Sequence, residues 1–556
     1  MLSPSVYQDG FARDNLPSPE QWPVITDGGL PELAYPARFN AAVELLDRAI
    51  DQGWGNRPCL RAPGLVWSYA EVLERANRVA GVLVNEMGLR SGNRVLLRGA
   101  NNPMMAVCWF AVLKAGGIAV TTMPLLRARE LTFILDKAKV EFALCDAALS
   151  GELEAAREKS RELKRVVYFH SVASDGLEAL TAHQNPRFDN VIPARDDVAL
   201  IAFTSGTTGQ AKGTMHFHSD VLAICDCFPR SILKPEPDDI FSGSPPLAFT
   251  FGLGGILLFP MRFGASTLLI ERCAPPELLQ AIQDHRLSTI FTAPTAYRAM
   301  ADLAKNFDIS SLSKCVSAGE HLPAATFEAW RQATGIKIID GLGSTELLHI
   351  FVSSSGEEAR PGATGKPIRG YQAMIVDDDM RPLPAGQVGR LAVRGPTGCR
   401  YLANAEQQRK YVRDGWNLTG DAYRMDEDGY FWYQARTDDM IISAGYNIAG
   451  PEIESVLLDH PKVAECAVVG SPDSERTEIV KAFVVLRQGN EGSEALTREL
   501  QEFVKAQIAP YKYPRAIEYV AALPRTETGK VQRFRLRELE RERAQARAAA
   551  VPDKSP

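Results

Sequence analysis

Thr204-Ser205-Gly206-Thr207-Thr208-Gly209-Gln210-Ala211-Lys212-Gly213 is the stretch on whose reading the fold depends. An apolar run, residues 198–203, precedes it, and residues 214–218 alternate in a period of two, so the pattern predicts a loop between two strands. Glycines let such a loop curl with its N–H groups inward, the hydroxyls add donors, and Lys212 adds a compact positive charge, a combination suited to a polyphosphate. It is not a Walker A loop, which needs Gly directly before Lys and Ser or Thr directly after; here Ala211 and Gly213 flank Lys212.

Outward from the loop, residues 39–143 alternate helix and strand. Ser68-x-x-Glu71 is a capping-box signature for a helix reaching about Glu86. A strand over 94–97, a helix over 105–115, a strand over 118–122, a helix from Arg129 and a strand over 142–145 follow, which predicts an α/β layer with a largely parallel sheet. Ser219 is expected to cap the helix after the loop. Phe249 and Phe251 sit among prolines and glycines at 245–255, where they either wall a flat apolar pocket or are plain core.

Three strand-like runs come next, 289–295, 314–316 and 337–339. They end in small and polar residues, including Ser317-Ala318-Gly319-Glu320 and Asp340-Gly341-Leu342-Gly343-Ser344-Thr345-Glu346, the arrangement expected of a ligand crevice at the carboxyl ends of strands. A helix opening near Ser344 would put Glu346 and His349 on one face. Glu346 is then a candidate Mg²⁺ ligand beside a triphosphate, the alternative being a solvated carboxylate at a helix N-terminus. Residues 370–395 turn to hairpins, predicting a small β subdomain. A charged junction at 435–439 precedes a compact α/β pattern over 440–519, and the Arg/Glu-rich end from Arg533 reads as a solvated helix fraying into a disordered tail.

A chain of 556 residues, 45% hydrophobic, is too long for one ordinary core. Its net charge of −6 argues against nucleic acid as a partner. The start carries Asp9 and Asp14 without an apolar core, so no secretory signal is expected, and lysine, paired glycines and prolines interrupt the longest apolar stretches, so no membrane span is expected either. The expected location is cytoplasmic. Nine cysteines without recurring spacing suit a reducing compartment, and Cys225 and Cys227 are expected to pack on a helix rather than bind zinc. The eight histidines form no H-x-x-x-H or H-E-x-x-H, and no G-x-S-x-G occurs, which argues against metallohydrolases and serine hydrolases.

Together the separated motifs resemble the adenylate-forming superfamily of acyl-CoA synthetases, luciferases and peptide-synthetase adenylation domains, over about residues 39–537. The phosphate loop, Asp340-to-Glu346, Thr419-Gly420-Asp421, the hinge Ala435-Arg436-Thr437-Asp438-Asp439 and the lysine loop ending Thr528-Gly529-Lys530 occur in the family's order. The resemblance implies an α/β fold: a large N-terminal domain of α/β subdomains plus a small β subdomain, residues 1–437, and a small mobile α+β C-terminal domain, 438–556, with residues 545–556 disordered. It implies ATP, Mg²⁺ and coenzyme A, and two half-reactions in which a carboxylate and ATP give an acyl-adenylate and a thiol then displaces AMP. Lys530, Thr345 and Lys212 are the implied catalytic residues. Thr204, Ser205, Gly206, Thr207, Thr208, Gly209, Gly319, Glu320, Asp340, Gly341, Thr345, Asp421 and Arg436 would bind ATP or AMP, Glu346 the metal, and Asp438 would be the hinge. Ser443, Ala444 and Gly445 would lie near CoA. The family often has Pro where Ala211 stands, Gly where Ala435 stands and Lys where Ile442 stands, which blurs the CoA contacts.

Within the superfamily, Ser317-Ala-Gly-Glu-His321, residues 340–351 and residues 440–450 resemble the benzoate-CoA ligase group, particularly 2-aminobenzoate-CoA ligases. By that resemblance Thr250, Phe251, Ala318, Gly343, His349 and Ile350 line the acyl pocket, with His349 able to hydrogen-bond an ortho substituent of a small aromatic acid. The alternatives are a ligase for a hydroxybenzoate, a cinnamate or a medium-chain fatty acid, an adenylation module loading a carrier protein in trans, and a nucleotide-binding regulator without catalysis. A homodimer is the default oligomeric expectation.

Overall fold

The computed structural model describes residues 2–204, 211–436, 439–443, 446–473, 476–508, 510–526 and 529–549. Ser205, Gly206, Thr207, Thr208 and Gly209, the hinge Asp438, and Ala444 and Gly445 therefore lie outside the described residues.

The alternation before the phosphate loop builds a six-stranded sheet in the order 165–169, 142–146, 94–98, 118–122, 198–203, 213–217. Every pair is parallel except the last, where Val198–Phe203 and Gly213–Phe217 run antiparallel on either side of the loop. The helices start where the sequence provides caps. Ser68 and Glu71 form the reciprocal capping box, Glu71 Oε2 accepting from Ser68 N–H at 2.7 Å and Ser68 Oγ from Glu71 N–H at 3.3 Å. The helix predicted over 105–115 spans Pro103–Lys114, because Asn102 caps it by accepting from Met105 N–H at 2.9 Å and Pro103 occupies its first turn. It is buried almost all round; its Lys114 is neutralised by Asp47, both carboxylate oxygens 2.6 Å from Nζ.

Ser219 is not the cap of the helix after the loop. That helix, His218–Phe228, begins one residue earlier, and Asp220 reaches back to accept from Phe217 N–H at 2.9 Å. Cys225 and Cys227 are buried on it, as the sequence predicts.

A nine-stranded sheet follows, in the order 366–367, 350–353, 338–343, 314–318, 289–292, 240–243, 266–268, 58–62, 65–68. Its six central strands are parallel, with antiparallel strands at both edges. The run 289–295 is strand only to Thr292, since Pro294 opens a helix. The other two runs are longer than predicted, reaching Ala318 and Gly343. The hairpin region forms a five-stranded antiparallel sheet from Gln372–Val376, Val388–Arg394, Val412–Arg413, Trp416–Met425 and Phe431–Arg436. One hydrophobic core joins these three sheets through Leu97, Phe110, Phe241, Phe291, Ile339, Leu391 and Tyr423.

The last sheet, built around the long hairpin Val463–Asp473 and Thr477–Leu486, has a core of its own from Ile441, Ile453, Val468, Val484 and Leu500. The terminal helix Arg533–Ala549 is not merely solvated. Leu536 and Glu540 are buried, Glu540 accepts from Ser471 Oγ and Lys481 Nζ at 2.7 Å each, and Arg533 pairs with Glu454 at 2.6 Å. These residues recur at a spacing of three and four, which is one helix face. Among the described residues no helix is long and apolar enough to cross a membrane.

Candidate nucleotide and acyl site

Three adjacent parallel strands, Thr289–Thr292, Lys314–Ala318 and Ile338–Gly343, bring their carboxyl ends together, with Ser317 opposite Asp340 and Ala318 opposite Gly341. Gly319 then turns with φ +92°. A Cβ there would be strained by that φ and would stand 3.5 Å from Lys530 Cε, so Lys530 lies directly over this strand end. Lys530 is exposed, yet the surrounding walls desolvate its ammonium and push its pKa below the usual lysine value, while Glu320 pulls it up and Arg436 adds to the lowering. Glu320, pushed up by burial, faces Arg525, Lys530 and Arg533 and accepts from Val531 N–H. His321 stacks on Tyr433 with ring centroids 5.3 Å apart.

Asp340 is buried. Its Oδ1 has no hydrogen-bond partner among the described residues, and burial raises its pKa well above the usual carboxylate value against the pull of the Gly341 N–H. A buried polar atom left without a partner at a strand end is free to bond a ligand. Across the crevice, Asp421 and Arg436 are partners in adjacent strands, Arg436 Nη1 donating to Asp421 Oδ1 and to the Thr419 carbonyl at 3.2 Å each.

The phosphate loop is closed at its neck: Thr204 N–H donates to the Lys212 carbonyl at 2.9 Å, and Lys212 N–H to Thr204 Oγ1 at 3.3 Å. A single 3₁₀ turn, Thr345–Leu347, is capped by Ser344, whose hydroxyl accepts from Leu347 N–H at 3.2 Å. Glu346 and His349 do not share a helix face. Leu348 takes φ +71°, ending the turn before a strand starts at Ile350, and the two side chains part. Glu346 is half-buried; Oε1 accepts from Tyr401 Oη at 2.6 Å, and Oε2 has no hydrogen-bond partner among the described residues, which leaves it able to take a cation. Thr345 is held through its carbonyl by the buried His216, whose Nε2–H donates at 2.8 Å.

His349 enters an apolar box instead. Its ring is 4.5 Å from Phe259 and 5.8 Å from Phe251, with Gly254 so close that a Cβ there would sit 2.4 Å from Cδ2. Nε2 contacts the Phe251 carbonyl at 3.3 Å, so Nε2 carries the proton and Nδ1 is a bare acceptor, buried and without a partner among the described residues. Burial lowers its pKa to about 3, so the ring is neutral. Ala318 and Ile350 are buried and Thr250 and Phe251 half-buried. Ile350 packs on Gly341, where a Cβ would meet its Cδ1 at 2.5 Å, and the Gly343 position is covered by the His349 carbonyl at 2.8 Å. Ser443 stands in another sheet, buried and paired with Thr477. Sequence reading missed His216, Tyr401 and Arg533; the first two meet the site through contacts 129 and 55 residues apart, for which no local pattern exists.

Residues 46–401 match the AMP-binding enzyme family and residues 452–530 the AMP-binding enzyme C-terminal domain. A benzoate–CoA ligase of Thauera aromatica is 33% identical over 513 residues, covering 91% of this chain and 97% of its own. The structure of the anthranilate CoA ligase AuaEII in complex with anthranoyl-AMP superposes with a TM-score of 0.88 at 34% identity, over 93% of this chain and 100% of that one. A benzoate CoA ligase from Burkholderia xenovorans LB400 gives 0.82 at 30%, over 90% and 100%. The chain belongs to the AMP-binding enzyme family, of the adenylate-forming superfamily, and its class is that of the AMP-forming acid–thiol ligases.

Proposed function

We propose that the chain is an ATP-dependent aryl carboxylate–CoA ligase acting on 2-aminobenzoate or benzoate, with the 2-amino acid preferred. The observation that carries the preference is His349 Nδ1, a buried acceptor lacking a donor. An ortho N–H would satisfy it, whereas benzoate would leave it unpaired, and a site with an unpaired buried polar atom discriminates strongly. The likeness to an anthranilate ligase supports the same reading.

In the first half-reaction a carboxylate oxygen attacks the α-phosphorus and the bond to pyrophosphate breaks. Two anions meet there, and Lys530, Lys212 and the Thr345 hydroxyl would offset the charge. Glu346 would hold Mg²⁺, which supplies further charge neutralisation on the triphosphate. Gly319, Glu320, Asp340 and Gly341 line the adenine site, Asp421 and Arg436 the ribose site, and Thr250, Phe251, Ala318, Gly343, His349 and Ile350 the acyl pocket. In the second half-reaction the CoA thiol attacks the acyl carbon and AMP leaves, with Ser443 on the CoA side.

A panel of acids assayed for CoA- and ATP-dependent AMP release tests this, with 2-aminobenzoate expected to give the highest kcat/KM; a higher value for an aliphatic acid overturns it. In His349→Ala the ratio of kcat/KM for 2-aminobenzoate over benzoate is expected to fall by about 5- to 150-fold, the equivalent of about 1–3 kcal/mol for one unpaired buried group. Taking the ratio cancels the packing lost around Phe251 and Phe259, so an unchanged ratio removes His349 from selectivity.

The same reading makes residues 1–437 one domain and 438–556 another that rotates between half-reactions, because Lys530 cannot cover Gly319 and also leave a path for a pantetheine thiol. Proline at Asp438 fixes φ near −65° and restricts Thr437, so Asp438→Pro should leave adenylate formation in place and abolish thioester formation. Equal slowing of both steps at an unchanged melting temperature counts against the hinge.

A further inference from the structure

The Thr345–Leu347 turn and the phosphate loop rest on a common support. The strand Gly213–Phe217, which carries the chain out of the loop, is flanked by residues 400–402. Met215 N–H donates to the Arg400 carbonyl and Leu402 N–H to the Gly213 carbonyl, both at 2.8 Å, and Thr214 pairs with Tyr401 between them. Tyr401 is thereby fixed beside the backbone of Lys212. Its ring centroid is 5.9 Å from Lys212 Nζ, within reach of a cation–π attraction. Its hydroxyl donates to Glu346 Oε1 at 2.6 Å, since a carboxylate only accepts.

Packing sets the direction of that hydroxyl. Tyr401 is 2% exposed and its ring meets Tyr411 edge-on, centroids 5.8 Å apart at 79°. His216 holds the Thr345 carbonyl, which fixes the backbone of the turn but not the rotamer of Glu346. Only Tyr401, among the described residues, hydrogen-bonds the Glu346 carboxylate.

We propose that Tyr401 is a positioning residue that locks the Glu346 carboxylate and the Lys212 ammonium into one unit, presetting both for the metal-bound triphosphate of ATP. This rests on the reading that Glu346 holds Mg²⁺. With Oε1 tied, Oε2 is the oxygen presented to the cation, and the rotamer entropy of Glu346 is spent in folding rather than in binding.

Calorimetric titration of the full chain with adenosine, with ATP in EDTA and with ATP in Mg²⁺ tests it. Wild type should bind ATP more tightly with Mg²⁺ than in EDTA. Tyr401→Phe keeps the ring and loses the hydroxyl. It should cut that metal-dependent gain about 3- to 10-fold, the range for one hydrogen bond, with adenosine affinity within about twofold of wild type. Tyr401→Leu should also weaken ATP binding in EDTA, because Lys212 loses its ring. A full metal-dependent gain in Tyr401→Phe, alongside its loss in Glu346→Gln, overturns the proposal. So does equal weakening of adenosine and ATP with a lowered melting temperature, which marks a packing role alone. If wild type gains nothing from Mg²⁺, or Glu346→Gln keeps the whole gain, the metal reading itself fails and the proposal with it.

Discussion

Lys530→Ala is expected to lower adenylate formation by on the order of 10²-fold or more, the effect of removing a preorganised charge-stabilising donor, while thioester formation from supplied acyl-adenylate survives. The reason lies in where the lysine stands. It covers Gly319, the strand-end glycine at the proposed adenine site, and its ammonium feels the charges of Glu320, Arg436, Asp421 and Glu346. Its ammonium is partly stripped of water by the cleft, so its field reaches the reacting phosphorus with less screening than an open surface charge would have. Alanine should not undo the closure. Glu320 keeps Arg525 and Arg533 as neighbours, and the Arg533–Glu454 pair is untouched. Pyrophosphate exchange and single-turnover thioester formation read the two halves separately. An equal loss in both would mean that the lysine acts on folding or closure.

Much of this arrangement is legible in the sequence because its cues are local. The strands flanking the phosphate loop show as an apolar run and a period of two; Val198–Phe203 is as read, and Gly213–Phe217 lies one residue before the predicted 214–218 because His218 opens a helix. The strand ends that converge on Ala318 and Gly341 show as small and polar residues after β-runs, and they lie side by side. What fails is what depends on a single dihedral or on distant packing. Glu346 and His349 are separated because Leu348 takes φ +71°, and nothing in a leucine announces a left-handed residue. The terminal helix reads as solvated from its charge, yet Arg533, Leu536 and Glu540 form a buried face whose partners, Glu454, Ser471 and Lys481, are 59 to 79 residues away. Phe251 is half-buried, its ring 5.6 Å from Phe291 and 5.8 Å from His349.

Acid should destabilise the fold above the range where most carboxylates titrate, because burial holds four histidines neutral. His216, His218 and His349 are 0–2% exposed, and burial lowers each from 6.5 to about 3; it lowers the half-buried His321 to about 4. For His218 the hydrogen bonds also require the neutral ring: its Nδ1 accepts from Ala41 N–H at 3.1 Å while Nε2–H donates to Tyr7 Oη at 3.0 Å. Above pH 6.5 neither state binds these protons and they contribute no pH dependence. As pH falls toward 4 the unfolded chain takes up four protons on these histidines that the folded chain refuses, so their contribution to stability declines with falling pH through that window. Asp220, Glu320, Asp340 and Asp459, whose burial raises their pKa, work in the opposite sense and offset part of this uptake. Each proton of net uptake removes about 1.4 kcal/mol per pH unit, or about 1 °C of melting temperature per unit for a chain this long. In His218→Asn the amide oxygen can still accept from Ala41 N–H but no longer titrates, so the melting temperature should be lower at pH 7.5 and fall less steeply between pH 6.5 and 4.5. A slope identical to wild type would remove His218 from the acid response.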